Sequence, residues 1–126
     1  MTVGREVTLV FGLAVAGKAV ARELVKRGES LVLADDNESE PHGAFAEEIG
    51  MPIVALNHSS EINQLLKSVT RLAPAPGIPE GHPVIVAARE LGVEICSELE
   101  LAYRFEQRRG IGPRPMVGIT GTDGKT

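Results

Sequence analysis

Val7-Thr8-Leu9-Val10-Phe11, running into Gly12-Leu13-Ala14-Val15-Ala16-Gly17 and on through Lys18 to Lys26, is the stretch that decides the fold. The first five residues are a short apolar, β-branched-rich run that stops at a glycine, the pattern of a buried strand ending in a turn. The period then changes. From Ala16 to Lys26 the apolar positions Ala16, Ala19, Val20 and Leu24 recur at three and four residues with charges opposite, and Gly28 closes the segment as a helix C′ residue. A second apolar run, Leu31 to Ala34, ends in Asp35 and Asp36. Residues 7 to 35 thus have the length of a strand–helix–strand unit, whose connection is expected to be right-handed.

Working outward, the alternation continues. A helix is predicted over 44–49, a strand over 52–56, a helix over 60–68 and a weak strand over 69–73. The segment Pro74 to Pro83 holds four prolines and two glycines and is read as an ordered loop. A helix over 83–91, a short strand over 93–96 and a helix opened by the capping box Ser97 to Glu100 complete the set. Strands and helices in turn imply an α/β fold, namely a Rossmann-like open, mostly parallel five-stranded sheet with helices on both faces. With 43% apolar residues but three Phe, one Tyr and no Trp, the core must be aliphatic. That suits a parallel sheet covered on both sides.

Length and charge narrow the class. A chain of 126 residues fits one main domain. The net charge of −4, with signs interspersed and Glu106 inside the short basic stretch 104–109, gives no footprint for nucleic acid. No apolar run of about 18 residues offers a membrane span, and the single Cys96 excludes an internal disulfide, so a cytoplasmic setting is expected. Cys96, at a strand end, is expected to be packed rather than reactive. His42, His58 and His82 are scattered without metal-ligand spacing and are read as surface or turn residues.

Two segments carry phosphate signals. Gly12 to Gly17 sits where GxGxxG would sit, but the middle glycine is replaced by Ala14. The first glycine permits the tight turn and the third permits close helix packing, whereas the middle one lets a dinucleotide pyrophosphate approach. A β-carbon at Ala14 therefore disfavours the usual NAD pose, while the helix terminus near Ala14, Val15, Ala16 and Gly17 stays an anion site. Asp35 lies about where such a domain places a carboxylate to read the nucleoside. The second signal follows a linker over 111–115 and a strand over 116–119. It is Thr120-Gly121-Thr122-Asp123-Gly124-Lys125-Thr126, which misses the strict P-loop pattern because Ile119 stands at the first glycine position. Lys125 is suited to terminal phosphates and the Thr126 hydroxyl to Mg²⁺. The sequence stops where a phosphate-holding helix should follow, so the chain is expected to be a piece of a longer enzyme. Its domains are read as 1–109, the Rossmann-like domain, and 110–126, a linker with the truncated start of a second, phosphate-binding domain.

The string Gly118 to Thr126 resembles the ATP loop of the Mur ligases and folylpolyglutamate synthetases, TGTxGK[ST], with Asp123 where most relatives have Asn. Gly12 to Gly17 with Asp35 resembles the opening of the Mur ligase branch that adds D-glutamate to UDP-N-acetylmuramoyl-L-alanine. Ala75-Pro76-Gly77-Ile78 is similar to that branch's SPGI loop, with Ala75 replacing Ser. Gly92 to Leu101 is similar to its following glycine-to-glutamate segment. Asn37 stands where some relatives carry a basic residue.

The resemblance implies that Ala14, Val15, Ala16 and Gly17 face a UDP diphosphate, that Asp35 accepts a hydrogen bond from uracil, and that Asp36 and Asn37 line the base pocket. It implies that the Gly77 backbone meets the sugar nucleotide, and that Thr122, Asp123, Gly124, Lys125 and Thr126 hold ATP, with Thr126 on Mg²⁺. It further implies an acyl phosphate made from ATP and attacked by the D-glutamate amine, in a monomeric enzyme with no nucleic-acid or membrane partner. No catalytic residue falls within the chain, which alone is expected to be inactive. The alternatives are another Mur-family ligase, a NAD(P)-binding oxidoreductase domain, and a non-catalytic nucleotide-sensing domain. The oxidoreductase would favour glycine at position 14 and has no use for Gly121 to Thr126.

Overall fold

The structure, a computed structural model, describes residues 6–36, 40–56, 58–115 and 117, with the backbone alone described at 40 and 41. Among the described residues strands and helices alternate without exception: β1 Val7–Phe11, α1 Val15–Lys26, β2 Ser30–Asp35, α2 Glu40–Ile49, β3 Ile53–Ala55, α3 Ser59–Leu66, β4 Arg71–Pro74, α4 Pro83–Leu91, β5 Glu94–Ile95 and α5 Glu98–Gln107. The five strands form one sheet in the order β3-β2-β1-β4-β5, and every pairing is parallel. This is the open α/β sheet that the alternation predicts.

The period of the strands explains the two-sided core. Successive side chains of β1 point to opposite faces. Leu9 and Phe11 join Leu56, Ile62, Leu66, Val84 and Ala88 from the α3 and α4 side. Val10 joins Leu13, Ala21, Leu24, Phe45, Leu101 and Phe105 from the α1, α2 and α5 side. β1 is therefore buried on both faces, and its run reads as continuously apolar rather than alternating. The one polar interruption, Thr8, is fully buried, and its hydroxyl accepts a hydrogen bond at 2.9 Å from Nε of Arg71, itself buried on β4.

Several element ends depart from the sequence reading. α2 starts at Glu40, not at 44, which takes His42 out of a loop and into the first helical turns. β4 is displaced to Arg71–Pro74, so Pro74 is the last strand residue, in register with Phe11. The box opening α5 is half made. Ser97 Oγ accepts from the Glu100 N–H at 3.1 Å, but the Glu100 carboxylate pairs with Arg104 instead of returning to Ser97.

Two glycines fix the turn between β1 and α1. Gly12 has φ +91°, a region costly to any residue with a β-carbon, and a β-carbon there would also lie 2.9 Å from that of Ala75. At Gly17 a β-carbon would stand 1.8 Å from the Gly12 carbonyl oxygen, a backbone atom that cannot swing away. Helix and strand end thus meet at a distance only glycine permits. Gly17→Ala is expected to lower unfolding stability by about 3 kcal/mol or more, read as a fall in the urea midpoint. A midpoint equal to that of the parent would contradict this packing.

Candidate functional site

In an open parallel sheet the ligand crevice lies at the carboxyl ends of the strands where the connections diverge. Here that point is between β1 and β4, because chain order runs one way from β1 through β2 to β3 and the other way through β4 to β5. The strand ends facing it are tied by backbone hydrogen bonds that extend the ladders by a residue. Leu56 N–H donates to Asp35 at 2.9 Å, Gly12 N–H to Ala34 at 3.0 Å and Ala75 N–H to Phe11 at 2.8 Å. The crevice floor is therefore built of fixed backbone.

Three loops rise from this floor. The first is Gly12 to Ala14, leading to the N-terminus of α1. Ala14 is the N-cap, extended at φ −83°, and makes no side-chain cap; the first turn holds no acidic residue. α4 and α5 are capped by His82 and Ser97, and α3, though uncapped by a side chain, has Glu61 in its first turn. α1 alone among these four presents its first N–H groups with neither cap nor carboxylate, the condition for an anion site. Ala14 and Val15 are exposed, Val15 at 87%, Ala16 is half-buried and Gly17 is buried. An alanine suffices at position 14 because its φ is negative.

The second loop follows β2. Asp35 Oδ2 accepts a hydrogen bond from the Leu13 N–H at 2.8 Å and lies 3.2 Å from Nε2 of His42, and Asp35 Oδ1 accepts from the Asp36 N–H at 2.7 Å. This carboxylate is thus largely committed to holding the β1–α1 turn and the chain beyond β2. Asp36 is half-exposed, and its Oδ1 lies 2.9 Å from Nε2 of His82. The third loop, after β4, is a turn in which Ile78 N–H donates to the Ala75 carbonyl at 3.2 Å, Pro76 takes the second position and Gly77, at φ +95°, the third. That is type II geometry, which asks for proline and glycine at those places. Nothing lies within 4 Å of where a Gly77 β-carbon would be. Its glycine serves the turn.

The structure brings Ala14 to Gly17, Asp35, Asp36 and Gly77 to the same end of the sheet. Asn37 and Thr122, Asp123, Gly124, Lys125 and Thr126 lie outside the described residues. Of the histidines read from sequence as surface or turn residues, His42 proves to be helical, while His82 does sit in a turn. His42 on α2 and His82 at the head of α4 have side chains only 15% and 14% exposed, each beside one aspartate of the pair after β2. Only the capping position of His82, just before Pro83, was open to sequence reading. His58 is exposed at the N-cap of α3. Cys96 is buried with its thiol unpaired, and burial pushes its pKa up, which suits a packing role. An apolar hollow of about 350 Å³ between α1 and α5 is lined by groups such as Val20, Leu24, Leu101 and Phe105, and by none of these histidines or aspartates. Among the described residues, no helix is long and apolar enough to cross a membrane.

The fold and crevice define a class: an open parallel α/β domain whose first crossover helix offers an uncapped N-terminus beside two carboxylates. Residues 6–97 match the family model of the Mur ligase MurD-like N-terminal domain, and the chain belongs to that family. It is 38% identical over 121 residues to the UDP-N-acetylmuramoylalanine–D-glutamate ligase of Bacillus thuringiensis (strain Al Hakam), covering 94% of this chain and 25% of that protein. The chain thus spans about a quarter of the length of the curated relatives it matches. Among solved structures it is similar to the UDP-N-acetylmuramate-alanine ligase MurC of Thermotoga maritima, with TM-score 0.63 and 20% identity over 83% of this chain and 23% of that one. It is also similar to saccharopine dehydrogenase of Saccharomyces cerevisiae, with TM-score 0.56 and 16% identity over 75% of this chain and 21% of that one. At such identities these two likenesses show the fold alone.

The commitment of Asp35 to the turn has a measurable consequence. Asp35→Ala leaves the partly buried Leu13 N–H without its acceptor and should cost about 1–3 kcal/mol of stability. Equal urea midpoints for the variant and the parent would show that the hydrogen bond does not hold the turn.

Proposed function

We propose that this chain binds the nucleotide end of UDP-N-acetylmuramoyl-L-alanine, as the N-terminal domain of an ATP-dependent ligase that joins D-glutamate to it. The observation that carries the reading is the uncapped, acid-free N-terminus of α1 standing at the switch point beside Asp35 and Asp36. The backbone N–H groups of Ala14, Val15, Ala16 and Gly17 would receive the diphosphate, where a helix N-terminus favours an exposed anion by about 0.3–1 kcal/mol. Asp35 and Asp36 border the base side, and the Gly77 turn borders the sugar. The boundary after residue 109 fits α5 ending at Gln107, the chain beyond folding back so that Arg114 N–H donates to the Glu106 carbonyl at 3.2 Å.

In the full-length enzyme, ATP with Mg²⁺ would supply the activation of the substrate carboxylate, and Thr122 to Thr126 are the residues of this chain assigned to it. The part played by residues 6–115 is to bind and orient the nucleotide, so that the carboxylate end projects toward the ATP-binding domain. No acid–base group of the crevice is needed for that task. A monomer in the cytoplasm is the setting the reading assumes.

The NAD(P) alternative shares the sheet, and the dehydrogenase likeness above extends no further than that. Ala14 separates the two readings, since a dinucleotide pyrophosphate wants a backbone free of a β-carbon there. Calorimetric titration should show binding of UDP and UDP-N-acetylmuramoyl-L-alanine and none of NAD. Saturable NAD binding with no response to either uridine compound would overturn the proposal. Incubated with ATP, Mg²⁺ and both substrates, the 126-residue chain should form no amide product; product detected by mass would refute the division of labour between the domains.

A further inference from the structure

We propose that His82 is the positioning residue of this crevice, holding Asp36 so that its carboxylate serves as the acceptor that selects the nucleoside; this rests on the uridine-nucleotide reading above. His82 is held on three sides. Its Nδ1 lies 3.1 Å from the Val84 backbone nitrogen, whose N–H can only donate, so Nδ1 is the acceptor that caps α4. In the neutral ring the proton then sits on Nε2, which lies 2.9 Å from Asp36 Oδ1 and donates to it. The ring packs against Phe11 at the end of β1, with centroids 5.0 Å apart and planes inclined at 58°. One side chain thus links the head of α4 with the ends of β1 and β2, at the carboxyl end of the sheet.

The two aspartates consequently divide the work. Both oxygens of Asp35 accept from backbone N–H groups, Oδ2 from Leu13 and Oδ1 from Asp36, and Oδ2 also borders His42. Asp36 engages only Oδ1 among the described residues, and its side chain is 47% exposed, so Oδ2 keeps its acceptor capacity. A carboxylate fixed at one oxygen has already lost most of its rotational freedom, so less ordering is left for binding. What it selects is a hydrogen-bond donor. A uridine nucleotide offers two kinds, the imide N–H of the base and the ribose hydroxyls. Cytosine presents an acceptor where uracil has its imide N–H, and would be repelled.

The two nitrogens of His82 can be tested apart. In His82→Asn the amide oxygen replaces Nδ1 and keeps the cap, but the side chain is too short for Asp36. In His82→Gln the longer amide replaces Nε2 and keeps the contact with Asp36, but the cap is lost. Calorimetric titration of the 126-residue chain with UDP should show His82→Asn weakened about tenfold with its melting temperature retained. His82→Gln should bind UDP like the parent while melting roughly 4–8 °C lower. The double variant His82→Asn/Asp36→Asn should bind no more weakly than Asp36→Asn alone, because the two residues act through one contact. Titrations with CDP and 2′-deoxy-UDP locate the donor. In the Asp36→Asn variant discrimination against CDP is lost if the donor is the base, and discrimination against the deoxy compound if it is the ribose. Equal losses for the Asn and Gln variants, parent-like binding by His82→Asn, or a double-variant loss equal to the product of the single losses would overturn the positioning role. Failure of the parent to bind UDP would instead remove the nucleotide reading, and this inference with it.

Discussion

The Gly12 carbonyl oxygen lies where a β-carbon on Gly17 would have to be, 1.8 Å away, and the rest of the candidate site depends on that approach. It brings the first turn of α1 down onto the end of β1 and leaves the helix N–H groups opening toward the strand ends. Were the helix displaced by the width of a methyl group, Leu13 would move with it. Its N–H would then lose the Asp35 carboxylate that ties the turn to β2. A steric constraint with no chemistry of its own thus sets the place of the candidate anion site.

The same economy appears along the strand ends. Asp35 Oδ2, the Ala34 carbonyl and the Phe11 carbonyl each receive an N–H from a loop leaving the sheet, at 2.8, 3.0 and 2.8 Å. Loops anchored this way have little freedom, and a site made of them is organised before a ligand arrives. The turn at Ala75 to Ile78 adds a rigid wall, since Pro76 fixes one dihedral and Gly77 takes the positive φ the turn requires. Ala75 falls where a small side chain packs near Gly12, so the position contributes shape and no hydroxyl.

Much of this was legible in the chain. The β-branched run before Gly12, the spacing to Gly17 and the acidic end of the second strand gave the first unit and its crevice, because each rests on local sterics or on contacts made within a single strand–helix–strand unit. The helix boundaries were less so. α2 begins four residues earlier than its apolar period suggests, since Glu40 to Gly43 carry no apolar stripe to mark them. The contacts of His42 and His82 with the aspartates were not legible at all. His82 is 46 residues from Asp36, and nothing in the intervening sequence signals that α4 starts against the end of β2.

The sequence by itself determined the alternation of strands and helices, the aliphatic core, the glycine turn and the candidate anion site, since all of these follow from periodicity, composition and the steric needs of single residues. Only the tertiary structure decided the strand order, the capture of Asp35 by the backbone of Leu13, and the meeting of His82 with Asp36. Those depend on how separate strand–helix units pack across one sheet. A hydrogen bond between residues far apart in the chain leaves no trace in the local pattern, because its partners are chosen by the fold and not by their neighbours.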